Sequence, residues 1–408
     1  MEGTSSSNTC PKCCLKCFER LRPRLPLIIK IPNTLNNVSR CNLDAILSPA
    51  ERAPLTEANL PSQAGKVFIV TGGSSGLGYE LSRILYGAGG KVYILTRSEE
   101  NAHNAISRIK AHYHDRDTPS TEAGAGAGVD SDAEAERITG QQSATAATAA
   151  TSKRGHCEFI PMDIADFTTI VSAVQEFLQR EGPDGRLDIL FNNVGTGARK
   201  NAPRTPQGHE YHFATNSIGP YFLTRELMAF LSSTAAKSPK DSVRVVWPAS
   251  VLVEMMSPQS GIRKEFLQDT RNVTDHNELY SSSKAANWLL ASEFARRTGQ
   301  TGVVHIAGNP GNYLTNIWRH TPSLLFYVLW PILRDPVHGA ETYLWMAFSD
   351  SVTMDQAVSG RYAMCDGRWH PGQREDIVLA LRSLDEGGSG RAGEYFDWCE
   401  KKVREFQS

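Results

Sequence analysis

Short apolar runs alternate with longer stretches of helical period along most of the chain beyond about residue 61. The runs KVFIV, KVYIL, CEFIPM, LDILFNN, VRVVW, VVHIA and GRYAM are rich in β-branched and aromatic residues, the composition of strands covered on both faces. Between them YELSRILYGAG, FTTIVSAVQEFLQRE and FLTRELMAFLSSTA place apolar residues three and four apart, which predicts amphipathic helices. Strands alternating with helices build parallel βαβ units. The pattern therefore predicts an α/β fold, a Rossmann-type doubly wound parallel sheet of about seven strands with helices on both faces.

Two segments break the pattern. Residues 1 to about 60 carry several prolines, little sustained periodicity and the cluster CPKCCLKC, and read as an irregular or disordered extension. From about residue 114 to 154 the chain offers almost no large apolar residue. Such a stretch cannot bury enough surface to offset its ordering entropy, so it reads as a disordered surface insertion, with local helix around its alanines as the alternative. A single domain is expected over 61–408, interrupted by that insertion.

Composition narrows the chemistry. At 40% hydrophobic residues and a formal charge of −1, the chain can bury a full core and lacks the basic excess of a nucleic-acid binder. A small-molecule partner is expected, and no nucleic acid. No apolar run reaches the roughly 20 residues of a membrane-spanning helix, and no secretory pattern opens the chain, so a cytoplasmic location is expected. Cys10, Cys13, Cys14 and Cys17 lie too close together to fold easily around zinc, and no metal site is expected. A disordered tail is expected there, with S-acylation beside Lys12, Lys16, Arg20, Arg22 and Arg24, giving peripheral membrane association, as the alternative.

The segment GKVFIVTGGSSGLGYELSRIL joins a strand, a glycine turn and an amphipathic helix. Gly72, Ser74, Ser75, Gly76, Leu77 and Gly78 make a turn that lets backbone approach a ligand, while the helix start offers N–H groups to an anion. A pyrophosphate fits there; a glycine-rich turn without ligand is the plain alternative. At the end of the next strand stands Arg97, about twenty residues past the glycines, where an arginine accommodates a ribose 2′-phosphate and a carboxylate would bind the 2′-hydroxyl. This favours NADP (NADPH) over NAD, with Glu99 and Glu100 nearby as the opposing signal.

Further along, YSSSK sets Tyr280 and Lys284 four residues apart on a predicted helix, where side chains are neighbours. The spacing alone also suits two polar residues on a solvated face. With TGGSSGLG, NNVG, a serine ending the fifth strand and YSSSK in that order, the sequence resembles the short-chain dehydrogenase/reductase superfamily, and its flanking text resembles fungal retinol-dehydrogenase-like members. The resemblance implies that Tyr280 is the general acid/base, Lys284 its partner, Ser250 the hydrogen-bond donor to the reacting oxygen, and Asn216 the holder of a water near the lysine. It also places Asp163 at the adenine, Asn192 at the start of the NNVG segment, and Pro310, Gly311 and Thr315 over the nicotinamide. A phenol ordinarily titrates near 10, and a neighbouring ammonium favours its ionised form.

Three departures from the family pattern stand out: Val194 in place of alanine, Pro248 shortly before Ser250, and a long excursion between Ser250 and Tyr280. Proline supplies no N–H, so an altered strand end is expected. The apolar run PSLLFYVLWPILRDP reads as a lid over a hydrophobic alcohol or carbonyl substrate, with a buried helix or membrane-surface contact as alternatives. The resulting expectation is an NADP(H)-dependent oxidoreductase interconverting an alcohol and a ketone or aldehyde. The competing readings are a non-catalytic dinucleotide sensor or scaffold, and an epimerase or dehydratase. An oligomer is compatible with either.

Overall fold

The computed structural model describes residues 53–117, 154–271, 273–320 and 333–406, together with Tyr327 and Trp330. The cysteine cluster, nearly all of the predicted insertion and most of the apolar run after Thr315 lie outside the described residues. Packing begins before Pro61: Ala53 is buried, and Glu57 pairs with the buried Arg83 guanidinium at 2.8 Å.

All seven predicted strands form. They are β1 (Val67–Thr71), β2 (Lys91–Thr96), β3 (His156–Pro161), β4 (Ile189–Phe191), β5 (Arg244–Pro248), β6 (Val304–Gly308) and β7 (Tyr362–Met364). A short eighth, β8 (Arg368–Trp369), adds antiparallel to β7; two residues leave no periodic signal in the sequence. The order is β3-β2-β1-β4-β5-β6-β7-β8, parallel up to β7, so the winding reverses between β1 and β4. In doubly wound sheets that reversal opens a crevice at the carboxyl ends of the strands.

The alternation of side chains across a strand divides the core in two. Val67 and Ile69 enter one apolar cluster, and Phe68 and Val70 the other. On the second face lie α1 (Gly76–Gly87), α2 (Glu99–Asp117) and, later in the chain, Pro336–Phe348. The first face carries α3 (Phe167–Glu181), α4 (Gly219–Ala235) and α5 (His276–Thr298). Asp166 caps α3 by accepting from the Thr168 N–H at 3.2 Å, and Gly182, at φ 73°, ends it. Every residue of α5 from Leu279 to Ala295 is buried, the mark of a helix running through the core rather than along its surface. The helices α6 (Pro336–Phe348), α7 (Glu375–Leu381) and α8 (Arg391–Val403) complete the layers. Among the described residues no helix is long and apolar enough to cross a membrane.

The long excursion after Ser250 is folded and held by residues far along the chain. It opens with a short helix, Leu252–Met256. Arg374 directs its guanidinium at the carbonyls that end this helix, donating to Ser257 O at 2.8 Å and Pro258 O at 3.0 Å. Asp376 accepts from the Ser260 N–H at 2.8 Å. Glu254 and His370, both buried, meet through a carboxylate oxygen and the ring Nε2, and His370 Nδ1 accepts from the Gly372 N–H at 3.1 Å. Replacing Arg374 by Met leaves several buried carbonyls unmet and is expected to cost ~1–3 kcal/mol in denaturant unfolding. Arg271→Met, at a side chain that is 75% exposed, should stay within about 0.5 kcal/mol.

Candidate active site

The glycine turn sits at the crevice between β1 and β4. Gly72, at φ +67°, turns the chain out of β1, and a Cβ added at Gly78 would lie 2.5 Å from Gly72 O and from Asn193 Nδ2. Only glycine allows this closeness. Asn193 donates to Thr71 O at 2.8 Å, and the Val194 N–H donates to Thr71 Oγ1 at 2.9 Å, so the NNVG segment is stitched to the turn. Asn192, the residue nominated from the sequence, is buried and donates to Thr224 at 3.0 Å; its neighbour Asn193 makes the link to the glycines.

Ser75 precedes α1 in an extended conformation and makes no side-chain cap, so the first N–H groups of the helix remain available to an anion. Leu77 packs against Gly339 of α6, where a Cβ would come within 2.5 Å of it. Ser74 Oγ lies 3.5 Å from Thr96 Oγ1 at the end of β2. Thr315, from the loop after β6, closes over Gly76: a Cβ there would meet Thr315 Cγ2 at 3.1 Å. That loop is shaped by Gly311 at φ +113°, by the Gly311 N–H on Asn309 Oδ1 at 3.0 Å, and by Tyr313 and Thr342 donating to Pro310 O. Arg97 is exposed at the end of β2 and stands 3.7 Å from Asp163, at the end of β3. Ser74 and Ser75 also border an open polar cleft of ≈ 560 Å³ with Asn101, Asn104, Arg108 and Asn316.

The four residues nominated as catalytic come together on the other side of the same crevice. Tyr280 and Lys284 point inward from the second and third turns of α5, and both are nearly fully buried. Tyr280 shares a side-chain hydrogen bond with Ser250. Burial holds the phenol above its ordinary acidity range, and the Ser250 bond opposes that rise in part. Ser250 accepts from the Leu252 N–H at 3.2 Å, while Tyr362 donates to the Ser250 carbonyl at 3.4 Å. Burial also lowers the Lys284 ammonium to about 8. Its Nζ lies 3.4 Å from Pro248 O, and a Cβ at Gly195 would stand 3.1 Å from both that Nζ and Asn216 Oδ1. Lys284, Gly195, Val194 and Thr71 thus make a continuous path from the lysine to the glycine turn.

Asn216 occupies a π-helical turn, Ala214–Ile218, just ahead of α4; such turns re-aim side chains and cluster at functional sites. Its Oδ1 accepts from the Thr196 N–H at 2.8 Å, and its Nδ2 donates to Thr196 O at 3.2 Å and Ser283 Oγ at 2.9 Å. The side chain is engaged in fastening the loop after β4 to α5. Pro248 is accommodated because β4 pairs with β5 only as far as Val246, leaving no strand partner for an N–H at 248. Sequence reasoning passed over Asn193, Asn287, Tyr362 and the Glu254–His370 pair. Asn287 alone had a local signal, its place three residues from Lys284 on one helix.

The family model for short chain dehydrogenases matches residues 66–123 and 125–259. A short-chain dehydrogenase/reductase from Phomopsis amygdali is 38% identical over 361 residues, spanning 86% of this chain and 93% of the relative. The short-chain dehydrogenase/reductase iacJ of Pestalotiopsis fici is 32% identical over 354 residues, with 86% and 94% covered. Among solved structures, an uncharacterised protein from Mycobacterium paratuberculosis superposes with a TM-score of 0.55 at 21% identity, covering 86% of this chain and 97% of that one, a likeness of fold. The chain belongs to the short-chain dehydrogenase/reductase family, a family of oxidoreductases. In this chain Gly78→Ala should force the turn apart and cost ~1–3 kcal/mol in thermal unfolding, whereas Gly372→Ala, with nothing within 4 Å of the added carbon, should leave stability unchanged.

Proposed function

We propose that the protein is an NADP(H)-dependent oxidoreductase that interconverts an alcohol and a ketone or aldehyde on a hydrophobic small molecule. The observation that carries this reading is the convergence of a Ser250-bonded, buried Tyr280 and a buried Lys284 beside a glycine turn with an uncapped helix start. The cradle suits a nicotinamide dinucleotide: the close glycine contacts admit a pyrophosphate against backbone, and Thr315 lies across the turn. Arg97, exposed at the end of β2, supports preference for the 2′-phosphate, and Asp163 would meet the adenosine side.

When bound, the dinucleotide supplies hydride to the carbonyl carbon, or accepts it in reverse. The chain's own residues manage the proton and the charge. Tyr280, whose phenol burial keeps protonated, donates its proton to the carbonyl oxygen as negative charge develops there. Ser250 Oγ steadies the same oxygen by hydrogen bonding. Lys284, one turn further along α5, carries an ammonium whose charge favours the ionised phenol once the proton has left, and it offers its N–H groups to the ribose hydroxyls.

The test is NADPH consumption by the purified full chain against a panel of hydrophobic ketones and aldehydes. Tyr280→Phe should lower turnover by ~100-fold or more while NADPH affinity stays near that of the wild type. Full turnover by the phenylalanine variant overturns the mechanism.

A further inference from the structure

The Pro248 carbonyl is unusual in having two donors from one helix. The Asn192 N–H donates to Val246 O at 3.1 Å, and the Ala249 N–H to Gly308 O at 2.7 Å. Alternate residues of a strand direct their backbone groups to opposite sides, so Pro248 O faces the β4 side. Pairing with β4 has already ended at Phe191, and a buried carbonyl without a strand partner has to be met by something else. Asn287 Nδ2 meets it at 2.8 Å. Lys284 Nζ approaches the same oxygen at 3.4 Å, beyond the usual range of an N–H···O bond. The lysine is therefore the weaker of two competitors for this acceptor.

We infer that Asn287 is a positioning residue: by occupying the Pro248 carbonyl it keeps the Lys284 ammonium from folding back onto that oxygen and leaves its N–H groups free for ribose hydroxyls in the crevice. The inference rests on the dinucleotide reading above. The groups around the ammonium are Pro248 O from β5, which it shares with Asn287 of its own helix, and the Asn216 amide across Gly195, with Tyr280 one turn earlier on α5. Among the described residues no carboxylate bears on it, and burial lowers its pKa. Asn287 itself is buried, and its Oδ1 has no hydrogen-bond partner. Asn287→Leu thus removes an unmet acceptor along with the bond, a change the fold should tolerate.

The experiment is titration of the full chain with NADPH across a pH series spanning the lysine's ionisation at about 8. In the wild type, affinity should fall as pH rises through that value, because the uncharged amine holds the ribose less well. In Asn287→Leu the ammonium gains Pro248 O as its own acceptor, and a hydrogen bond to the charged form raises its pKa. The midpoint should move to higher pH by about one unit, and affinity below it should drop roughly tenfold. Asn287→Asp, which sets a carboxylate beside the ammonium, should move the midpoint further the same way. Should the leucine variant fail to fold, Asn287→Ser, too short to reach the carbonyl, is expected to show the same upward shift. Superposition of the variant and wild-type curves, or a drop in affinity with an unmoved midpoint, overturns the inference while the dinucleotide reading stands. If the wild type binds neither NADPH nor NADH, the reading itself falls and takes the inference with it.

Discussion

Burying the Lys284 ammonium is the constraint around which the carboxyl end of the sheet is organised. A cation withdrawn from water is costly unless acceptors surround it, and the lowering of its pKa to about 8 by burial records that cost. Several features of the chain follow from it. Position 195 has to be glycine, because a Cβ would crowd Nζ and the Asn216 amide alike. Where β4 has stopped, the Pro248 carbonyl of β5 is met by Asn287 rather than by the ammonium, and Pro248, which lacks the N–H that would have gone unpaired there, is tolerated because β4 has ended. Helix α5 has to run through the core, since a surface helix would leave the lysine hydrated and its pKa ordinary.

A second constraint acts on Ser250. Its bond to Tyr280 is useful only if the chain after it is held still, yet that chain leaves the sheet at once. The C-terminal third supplies the hold: Tyr362 on the Ser250 carbonyl, the Glu254–His370 pair, Arg374 on the end of the short helix, and Asp376 on Ser260. Each contact joins residues more than a hundred positions apart. The Tyr280 and Ser250 hydroxyls thus depend on opposite supports, Tyr280 on a continuous core helix and Ser250 on a clamp assembled from the end of the chain.

This division explains how much the sequence revealed. Most of the seven parallel strands were legible because they are buried on both faces, β3 at the sheet edge being the half-exposed exception, and FTTIVSAVQEFLQRE corresponds residue for residue to α3. The glycine turn and the Tyr280–Lys284 spacing were legible because they are local: one is a backbone demand, the other a helical period. The clamp was not, since Glu254 and His370 carry no signal that they meet. Strand β8 escaped because two residues show no period. Asn192 and Asn193 are adjacent and identical, so no pattern could say that the first would turn down to Thr224 and the second across to the glycines. Register decides that, and register is set by the β4–β1 pairing.

The same burial acts in opposite senses on the two titratable groups of the site. It raises Tyr280 and lowers Lys284, in each case favouring the uncharged form. At neutral pH the tyrosine is therefore firmly protonated, while the lysine retains its proton with little margin. A phenol in that state is prepared to give a proton and poorly prepared to take one. In the proposed reaction the resting site is accordingly set for carbonyl reduction, and oxidation of the alcohol requires a further positive charge nearby to ease the phenol's ionisation. The cationic ring of an oxidised nicotinamide is such a charge, so the direction of catalysis would be governed by the redox state of the cofactor that binds rather than by a rearrangement of these side chains.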